Sequence, residues 1–182
     1  MTLEAPANNR APAHAPVAAR LWIERVQLTN FRSYPSAIVE TTAEPGVLVG
    51  ANGAGKTNFL EAISLLAPGQ GLRRAAFSDL SLASGDGGWS VAGRVHTHVG
   101  TIDIGTGLMR SGGASGGEGR QGRIVRIDGE AHSGSGALAD YVEMVWLTPS
   151  MDGLFTGPAG DCRRFLDRLI LCFDAGYRAR VG

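Results

Sequence analysis

The stretch that decides the fold is residues 47–66, which read VLVGANGAGKTNFLEAISLL. Its centre, from Gly50 to Thr57, matches the complete pattern G-x-x-x-x-G-K-[ST]. The flanks are those that the pattern requires, an apolar run before it and a helical pattern after it. We predict a buried strand over 47–49 and a helix over 56–66, which is apolar nearly all round and is therefore expected to be buried.

This pattern is typical of a site for the phosphates of a nucleotide. Glycines permit backbone angles that other residues avoid, so successive N–H groups can surround a phosphate at a helix N-terminus. Lys56, the one lysine of the sequence, would reach the β and γ phosphates, and the Thr57 hydroxyl would bind Mg²⁺. The predicted nucleotide-binding residues are Gly50, Ala51, Asn52, Gly53, Ala54, Gly55, Lys56, Thr57 and Asn58.

The composition limits the class of protein. A chain of 182 residues is long enough for one domain of about 100–200 residues. Apolar residues make up 43% of it, and no apolar run approaches the roughly 18 residues of a membrane helix, so a membrane span is excluded. Seventeen basic residues balance 17 acidic ones. Any contact with nucleic acid must therefore come from local arginine clusters.

The rest of the sequence has the pattern of a β-rich lobe with two unstructured segments. The predicted strands are a hairpin of 21–28 and 37–42, then 89–96, 99–108, 123–127 and 144–147. Residues 1–19 hold seven Ala and three Pro and predict a disordered arm. The glycine-rich segment 110–122 predicts a flexible loop.

The last apolar segment has two interpretations. Residues 169–174 form an apolar run that ends in Asp174 and imitates the metal-binding Walker B strand of an ATPase. However, the polar residues of 161–173 fall at helical spacing, and no turn signal precedes residue 169. We therefore predict an amphipathic helix over 161–173.

Together with its surroundings, the glycine-rich stretch resembles the N-terminal half of the RecF family. The resemblance rests on NFRSY (30–34), GANGAGKTN (50–58) followed by LEAI (60–63), VRIDG (125–129), and Gly157-Pro158 leading to RRFLD (163–167). It implies an α/β fold of the P-loop NTPase class, an ABC/SMC-like head lobe with a mixed β-sheet around the P-loop helix. This lobe would span residues 20–182.

The same resemblance implies an activity and partners. Members of the RecF family bind ATP and Mg²⁺, act in DNA replication and recombinational repair, and bind single-stranded or gapped DNA. They act with RecO and RecR to load recombinase, form an ATP-dependent homodimer with weak ATPase activity when full length, and lie in the cytoplasm. They carry a signature motif and a Walker B strand in a C-terminal half that this sequence lacks, so we expect a truncated head.

The resemblance also assigns roles to residues outside the P-loop. Arg32 and Ser33 match the position where SMC-like heads contact nucleotide phosphates. Arg73 and Arg74 match the position of an arginine loop near the nucleotide and DNA. Arg163, Arg164 and Arg168 share one face of the predicted C-terminal helix and are further candidates for DNA phosphates. Solvated surface arginines are the alternative interpretation for each of these groups.

Two other functions remain open from sequence alone. A complete small P-loop kinase would have this length, but it would begin with the P-loop strand and alternate β and α strictly. Here two predicted strands precede the P-loop, and about three follow it as a meander. A nucleotide-dependent interaction module without turnover is the other alternative.

Overall fold

The computed structural model describes residues 21–85, 87–109, 122–151, 153 and 156–171, and the following elements lie within them. The strands are β1 (Trp22–Phe31), β2 (Tyr34–Glu40), β3 (Trp89–Thr97), β4 (Gly100–Leu108), β5 (Ile124–Ile127) and β6 (Glu130–His132). The α-helices are α1 (Lys56–Ser64) and α2 (Ala159–Leu171), and short 3₁₀ helices cover Phe77–Leu80, Ser135–Asp140 and Pro149–Met151. No helix in this part of the chain has the length and apolar character of a membrane span.

The six strands form one sheet in the order β2-β1-β3-β4-β5-β6, and each neighbouring pair is antiparallel. Buried and exposed residues alternate along β3, which places one face of the sheet toward the core. The predicted hairpin and the strands of the meander are confirmed, and the three-residue β6 was not predicted. The described residues do not show the strict β and α alternation that a small kinase would have.

The core lies between the sheet and α1. It includes Val26 and Leu28 of β1, Val91 and Val95 of β3, and Phe59, Ala62, Leu65 and Leu66 from α1 and the turn after it. A Cβ atom on Gly93 would lie 2.5 Å from Leu66 Cδ1, so glycine lets the helix end approach β3 closely. Leu60 of α1 is 48% exposed, so the helix is buried on one side rather than all round.

Two of the predicted strands are wrong. Val47 and Val49 are 87% and 88% exposed, and residues 47–49 have no strand hydrogen bonds. The segment 144–147 is likewise extended without strand pairing, and Leu147 is 74% exposed. A strand is stable only beside a hydrogen-bonded neighbour, and none of the six described strands pairs with either segment. The described sheet therefore contains no parallel strand next to the P-loop.

The C-terminal segment is helical, as predicted. Residues 169–171 complete α2, so they are not a Walker B strand, and Asp174 lies outside the described residues. The predicted arm 1–19 also lies outside them, as does the glycine-rich segment except for Gly122. Those two predictions stay untested.

Candidate nucleotide-binding site

The glycine-rich loop leads into the N-terminus of α1 in the conformation that its glycines predict. Gly53 has φ 84° and Gly55, the N-cap residue, has φ 93°, both in the left-handed region. The helix has no side-chain cap and no acidic residue in its first turn. Its first N–H groups have no acceptors within the helix, because the first helical bond runs from Phe59 N–H to Gly55 O, 2.9 Å. The helix dipole adds a positive potential, so this end suits an anion.

Lys56 lies folded over the same loop. Its Nζ donates to the carbonyl oxygens of Gly50, at 2.6 Å, and Ala51, at 2.8 Å. The ammonium group therefore lies against the backbone of the loop. Thr57, the second residue of α1, is exposed, and its role as a Mg²⁺ ligand stays a prediction. Elsewhere in the described residues, no three His, Cys, Asp or Glu side chains form a metal-binding group.

The turn between β1 and β2 packs directly against the loop. Asn58 Nδ2 donates to Ser33 Oγ at 3.0 Å. A Cβ atom on Gly55 would lie 2.9 Å from the Tyr34 hydroxyl oxygen and 3.0 Å from Ser33 Oγ. Ser33 thus lies beside the P-loop, and its contact with nucleotide phosphates stays a prediction. Tyr34 was not predicted, although its place beside Ser33 in the NFRSY motif was an available signal.

A buried carboxylate connects this turn to the loop after α1. Glu61 is 2% exposed, and its two oxygens accept from Arg32 Nε and Nη2, each at 3.0 Å. Arg73 Nη1 donates to Glu61 Oε2 at 3.1 Å and to Asn58 Oδ1 at 3.0 Å. We call Arg32, Glu61 and Arg73 the Glu61 cluster. The sequence analysis missed Glu61, and the signal was an acidic residue among the apolar residues of α1.

Among the described side chains, Arg74 and Arg163 are not part of this cluster. Arg74 is exposed and has φ 54°, in the left-handed region. Arg163 is exposed on α2, whereas the side chains of Arg164 and Arg168, on the same helix, are not described. Arg32, Ser33, Asn58 and Arg73 therefore form one hydrogen-bonded network, and the described bonds of that network do not include Arg74 or Arg163.

A different arginine closes the C-terminal end of α1. Arg123 donates to Thr106 Oγ1 at 2.7 Å, to Gly69 O at 2.6 Å, and to Leu65 O. Its guanidinium carbon lies 5.9 Å from the centre of the Phe77 ring. Burial lowers the pKa of Arg123 to about 10, so the group is still charged at neutral pH. Its Nη2 also donates to Ala67 O at 3.5 Å, and with these four partners Arg123 forms what we call the Arg123 cluster.

Known proteins support the resemblance to RecF in sequence. The chain is 48% identical over 163 residues to the DNA replication and repair protein RecF of Mesorhizobium japonicum, a match that covers 90% of this chain and 41% of that protein. It is 47% identical over 163 residues to the RecF protein of Brucella suis biovar 1, covering 89% and 40%. The chain thus spans about two fifths of the length of these curated relatives. A family model described as "AAA domain, putative AbiEii toxin, Type IV TA system" matches residues 47–97.

Solved structures support the fold. The recombination mediator protein RecF-ATPrS in the RecFOR pathway superposes with a TM-score of 0.69 at 23% identity, covering 88% of this chain and 41% of that one. The RecF-ATP structure of the same pathway gives a TM-score of 0.68 at 22% identity, covering 90% and 42%. Sequence and fold together confirm the resemblance to the N-terminal half of RecF and the α/β P-loop fold class.

Proposed function

We propose that this RecF-like chain binds ATP and Mg²⁺ at its P-loop, as the N-terminal part of a DNA replication and repair protein. The observation that supports this most strongly is the uncapped N-terminus of α1, entered through Gly53 and Gly55 with positive φ and covered by Lys56. Nothing in its first turn would repel a phosphate, because no acidic residue lies there. The relatives at 48% and 47% identity are named as proteins of DNA replication and repair.

Within this proposal each part of the loop has one task. The N–H groups of residues 50–58 bind phosphate oxygens, and Lys56 exchanges its two carbonyl acceptors for the β and γ phosphates. Thr57 holds Mg²⁺, which would neutralise phosphate charge and orient the triphosphate. Ser33, from the turn that packs on Gly55, would contact the phosphates, and Arg32 of the same turn pairs with Glu61 of α1.

A fluorescent ATP analogue with Mg²⁺ tests this proposal. Lys56→Ala should weaken binding of the analogue by at least about a hundredfold, because a charge-assisted contact to each of two phosphates is lost. Arg126→Ala is the control, since Arg126 is an exposed cation on β5 and its neighbours Val125 and Ile127 face the core. Equal affinity of Lys56→Ala and the wild type would contradict the proposal.

We also propose that the chain contributes to a surface for single-stranded or gapped DNA. Arg73 and Arg74 lie exposed in the loop after α1, beside the proposed ATP site, and Arg163 lies exposed on α2. Arg164 and Arg168 complete the candidate set on α2. By resemblance, the whole protein would act as an ATP-dependent homodimer with RecO and RecR, and the arm 1–19 and the lobe 20–182 would be separate units of this chain.

The salt dependence of DNA binding tests this surface. Each phosphate contact contributes about 0.9 to the slope of log K against log salt on duplex DNA and about 0.7 on single strands. The double variant Arg73→Ala with Arg74→Ala should flatten this slope on a gapped oligonucleotide, whereas Arg126→Ala should leave it unchanged. An unchanged slope in the double variant would show that neither arginine contacts DNA phosphates and that both are solvated surface residues.

A further inference from the structure

The face of the sheet that points away from α1 carries a groove. Its floor consists of small residues of the two middle strands, among them Ala92 of β3 and Gly105 of β4, which are opposite each other in the register. Two cavities of about 360 and 330 Å³ lie over this floor, and both are lined by Ala92 and Gly105. The two cavities are therefore continuous, and we call them together the outer groove.

The packing of the fold does not explain why residue 105 is a glycine. A Cβ atom on Gly107 would lie 2.5 Å from Trp89 O, so that position excludes a side chain. A Cβ atom on Gly105 would meet only Arg126 Cβ, at an ordinary 3.9 Å, and the φ of Gly105 lies outside the left-handed region. Glycine weakens a strand and often marks a place where a ligand approaches the backbone closely. What Gly105 does provide is an open floor for the outer groove.

The first cavity of the outer groove is lined by charged residues that are unequally paired. Arg25 of β1 stands opposite Arg94 of β3, and like charges in opposite positions repel each other. Arg94 gives two bonds to Asp103, at 2.9 and 3.0 Å. Arg25 gives one long bond of 3.5 Å from Nη2 to Gln27 Oε1, and its buried Nε has no hydrogen-bond partner among the described residues. With Arg126, the charged lining residues have a formal charge of +2, so an anion beside Arg25 would relieve repulsion and accept free donors.

The second cavity has an apolar end. Ile124 of β5 and Met109, which is 67% exposed, line it beside Gly107. The four residues from Arg94 to Ser90 of β3 separate the charged end from this apolar end by about 13 Å. In an extended chain, side chains four positions apart point to the same face and are separated by the same distance. The outer groove therefore matches an extended segment that carries an acidic and an apolar residue at this spacing.

We propose that the outer groove binds an extended acidic segment of a partner protein. One carboxylate of that segment lies between Arg25 and Arg94, and an apolar side chain four residues away packs over Ile124. The backbone between them lies across Gly105. This site does not depend on the proposed ATP site, because α1 and the P-loop lie on the other face of the sheet.

The shape and charge of the outer groove favour this occupant over a helix or DNA. The floor is two strands wide, about 5 Å from strand to strand, whereas an α-helix with its side chains is about 10–12 Å across. A continuous phosphate backbone would also pass Asp103 and Glu40, since Glu40 stands opposite Arg25 on β2. A single carboxylate needs only the space between Arg25 and Arg94.

Two peptides of the same composition test the spacing on the full 182-residue chain. Both carry an N-terminal fluorescein and a C-terminal amide. Asp-Thr-Ala-Thr-Leu has its acidic and apolar residues four positions apart, whereas Asp-Thr-Ala-Leu-Thr has them three apart, on opposite faces of an extended chain. Fluorescence polarisation should show at least tenfold tighter binding of the first peptide. Equal affinity for the two peptides would overturn the proposal, as would equal affinity for Asn-Thr-Ala-Thr-Leu, which lacks the carboxylate.

Two substitutions in the outer groove test its position. Arg25→Met should weaken binding of Asp-Thr-Ala-Thr-Leu at least tenfold without lowering the melting temperature, because Arg94 keeps Asp103 and a repulsion between like charges is removed. Gly105→Val should weaken binding as strongly, because the new side chain fills the floor, whereas the melting temperature should stay the same or rise. Gly46→Val is the matched control. A Cβ atom on Gly46 also meets nothing closer than 4 Å, and Gly46 lies in the loop after β2, so peptide affinity should not change.

The remaining outcomes each decide against the proposal. Wild-type peptide affinity of Gly105→Val would overturn it, and if that variant does not fold by circular dichroism, wild-type affinity of Arg25→Met would do the same. A single-stranded oligonucleotide that displaces the peptide, and that Gly105→Val no longer binds, would identify a nucleic-acid surface instead. Sedimentation velocity of the chain alone tests a second copy as the occupant. A dimer that Gly105→Val dissociates would assign the outer groove to self-association.

Discussion

The Glu61 cluster and the Arg123 cluster both attach distant parts of the chain to α1, but in opposite chemical settings. In the first, two guanidinium groups share one buried carboxylate, and one of them is half-exposed. In the second, one partly buried guanidinium donates to backbone carbonyls and a threonine hydroxyl. Leu65 is the C-cap residue of α1, so its carbonyl has no partner within the helix, and Arg123 supplies one.

This difference separates structural arginines from functional candidates. An arginine that donates to several carbonyls stabilises the fold. An incoming anion could bind it only after several of those hydrogen bonds were broken. A cation on the edge of a shared carboxylate can change partners at a smaller cost. We therefore expect the number and chemistry of an arginine's hydrogen-bond acceptors to show whether its substitution changes ligand affinity or only the free energy of unfolding.

The largest expected effect comes from Arg123→Met. Removal of the guanidinium leaves the Leu65 and Gly69 carbonyls and the Thr106 hydroxyl without this donor, which should lower the free energy of unfolding by about 3 kcal/mol. Urea denaturation measures the change, and Arg126→Met is the matched control at an exposed arginine of β5. Unchanged urea midpoints for both variants would show that the Arg123 cluster does not stabilise the fold. Affinity for the ATP analogue should stay close to that of the wild type.

A smaller effect on stability, with a clear effect on binding, is expected from Gly55→Ala. The added Cβ atom would meet the Tyr34 hydroxyl at 2.9 Å at a residue with φ 93°, so both contact and backbone strain oppose it. We expect a loss of about 1–2 kcal/mol in stability and at least tenfold weaker binding of the ATP analogue.

Gly53→Ala is the control for that substitution. Gly53 has φ 84°, but a Cβ atom there meets nothing within 4 Å, so this variant measures backbone strain alone. The contact with Tyr34 predicts that Gly55→Ala is the more damaging of the two. Equal effects of both substitutions would show that the packing of Tyr34 on the P-loop contributes nothing.

The exposed pair of Arg94 and Asp103 gives a baseline for ion pairs on this molecule. Arg94 Nε donates to Asp103 Oδ1 at 2.9 Å, and this hydrogen bond lowers the pKa of Asp103 below its ordinary value. The contribution of this pair to the free energy of unfolding is therefore present above the unfolded pKa of Asp103, about 3.9. It is lost as the pH falls through the lower pKa that Asp103 has in the folded state. Asp103→Asn should shift the urea midpoint slightly at pH 7 and not at all well below pH 3. A shift that persists in strong acid would exclude this ionic origin.

The smallest effect is expected where the chain enters the P-loop. Val47→Thr and Val49→Thr should change the free energy of unfolding by less than about 0.5 kcal/mol, because both side chains are almost fully exposed. Val91→Thr, in a fully buried position of β3, is the contrasting control and should cost clearly more. A large loss at Val47 or Val49 would mean that this segment is packed in solution.

Much of the site could be predicted because it depends on neighbouring residues. The glycine-rich pattern predicted backbone angles that other residues avoid, which Gly53 and Gly55 adopt, and the start of α1 at Lys56. The alternation of apolar and polar residues predicted β3 and β4 for the same reason, because it depends only on which side of a single strand is buried. The predictions of strands at 47–49 and 144–147 were wrong. An apolar run indicates that a segment is able to pair in a sheet, but it does not show that a neighbouring strand is available.

The sequence by itself determined the P-loop, the hairpin before it, the meander after it and the helical character of α2. These features follow from dihedral preferences and periodicity, which are properties of residues close together in the chain. Only the tertiary structure decided that Glu61 is buried between Arg32 and Arg73, and that Arg123 closes the far end of α1. Those contacts join residues 12 to 58 positions apart, so their partners are chosen by how the sheet and helix pack.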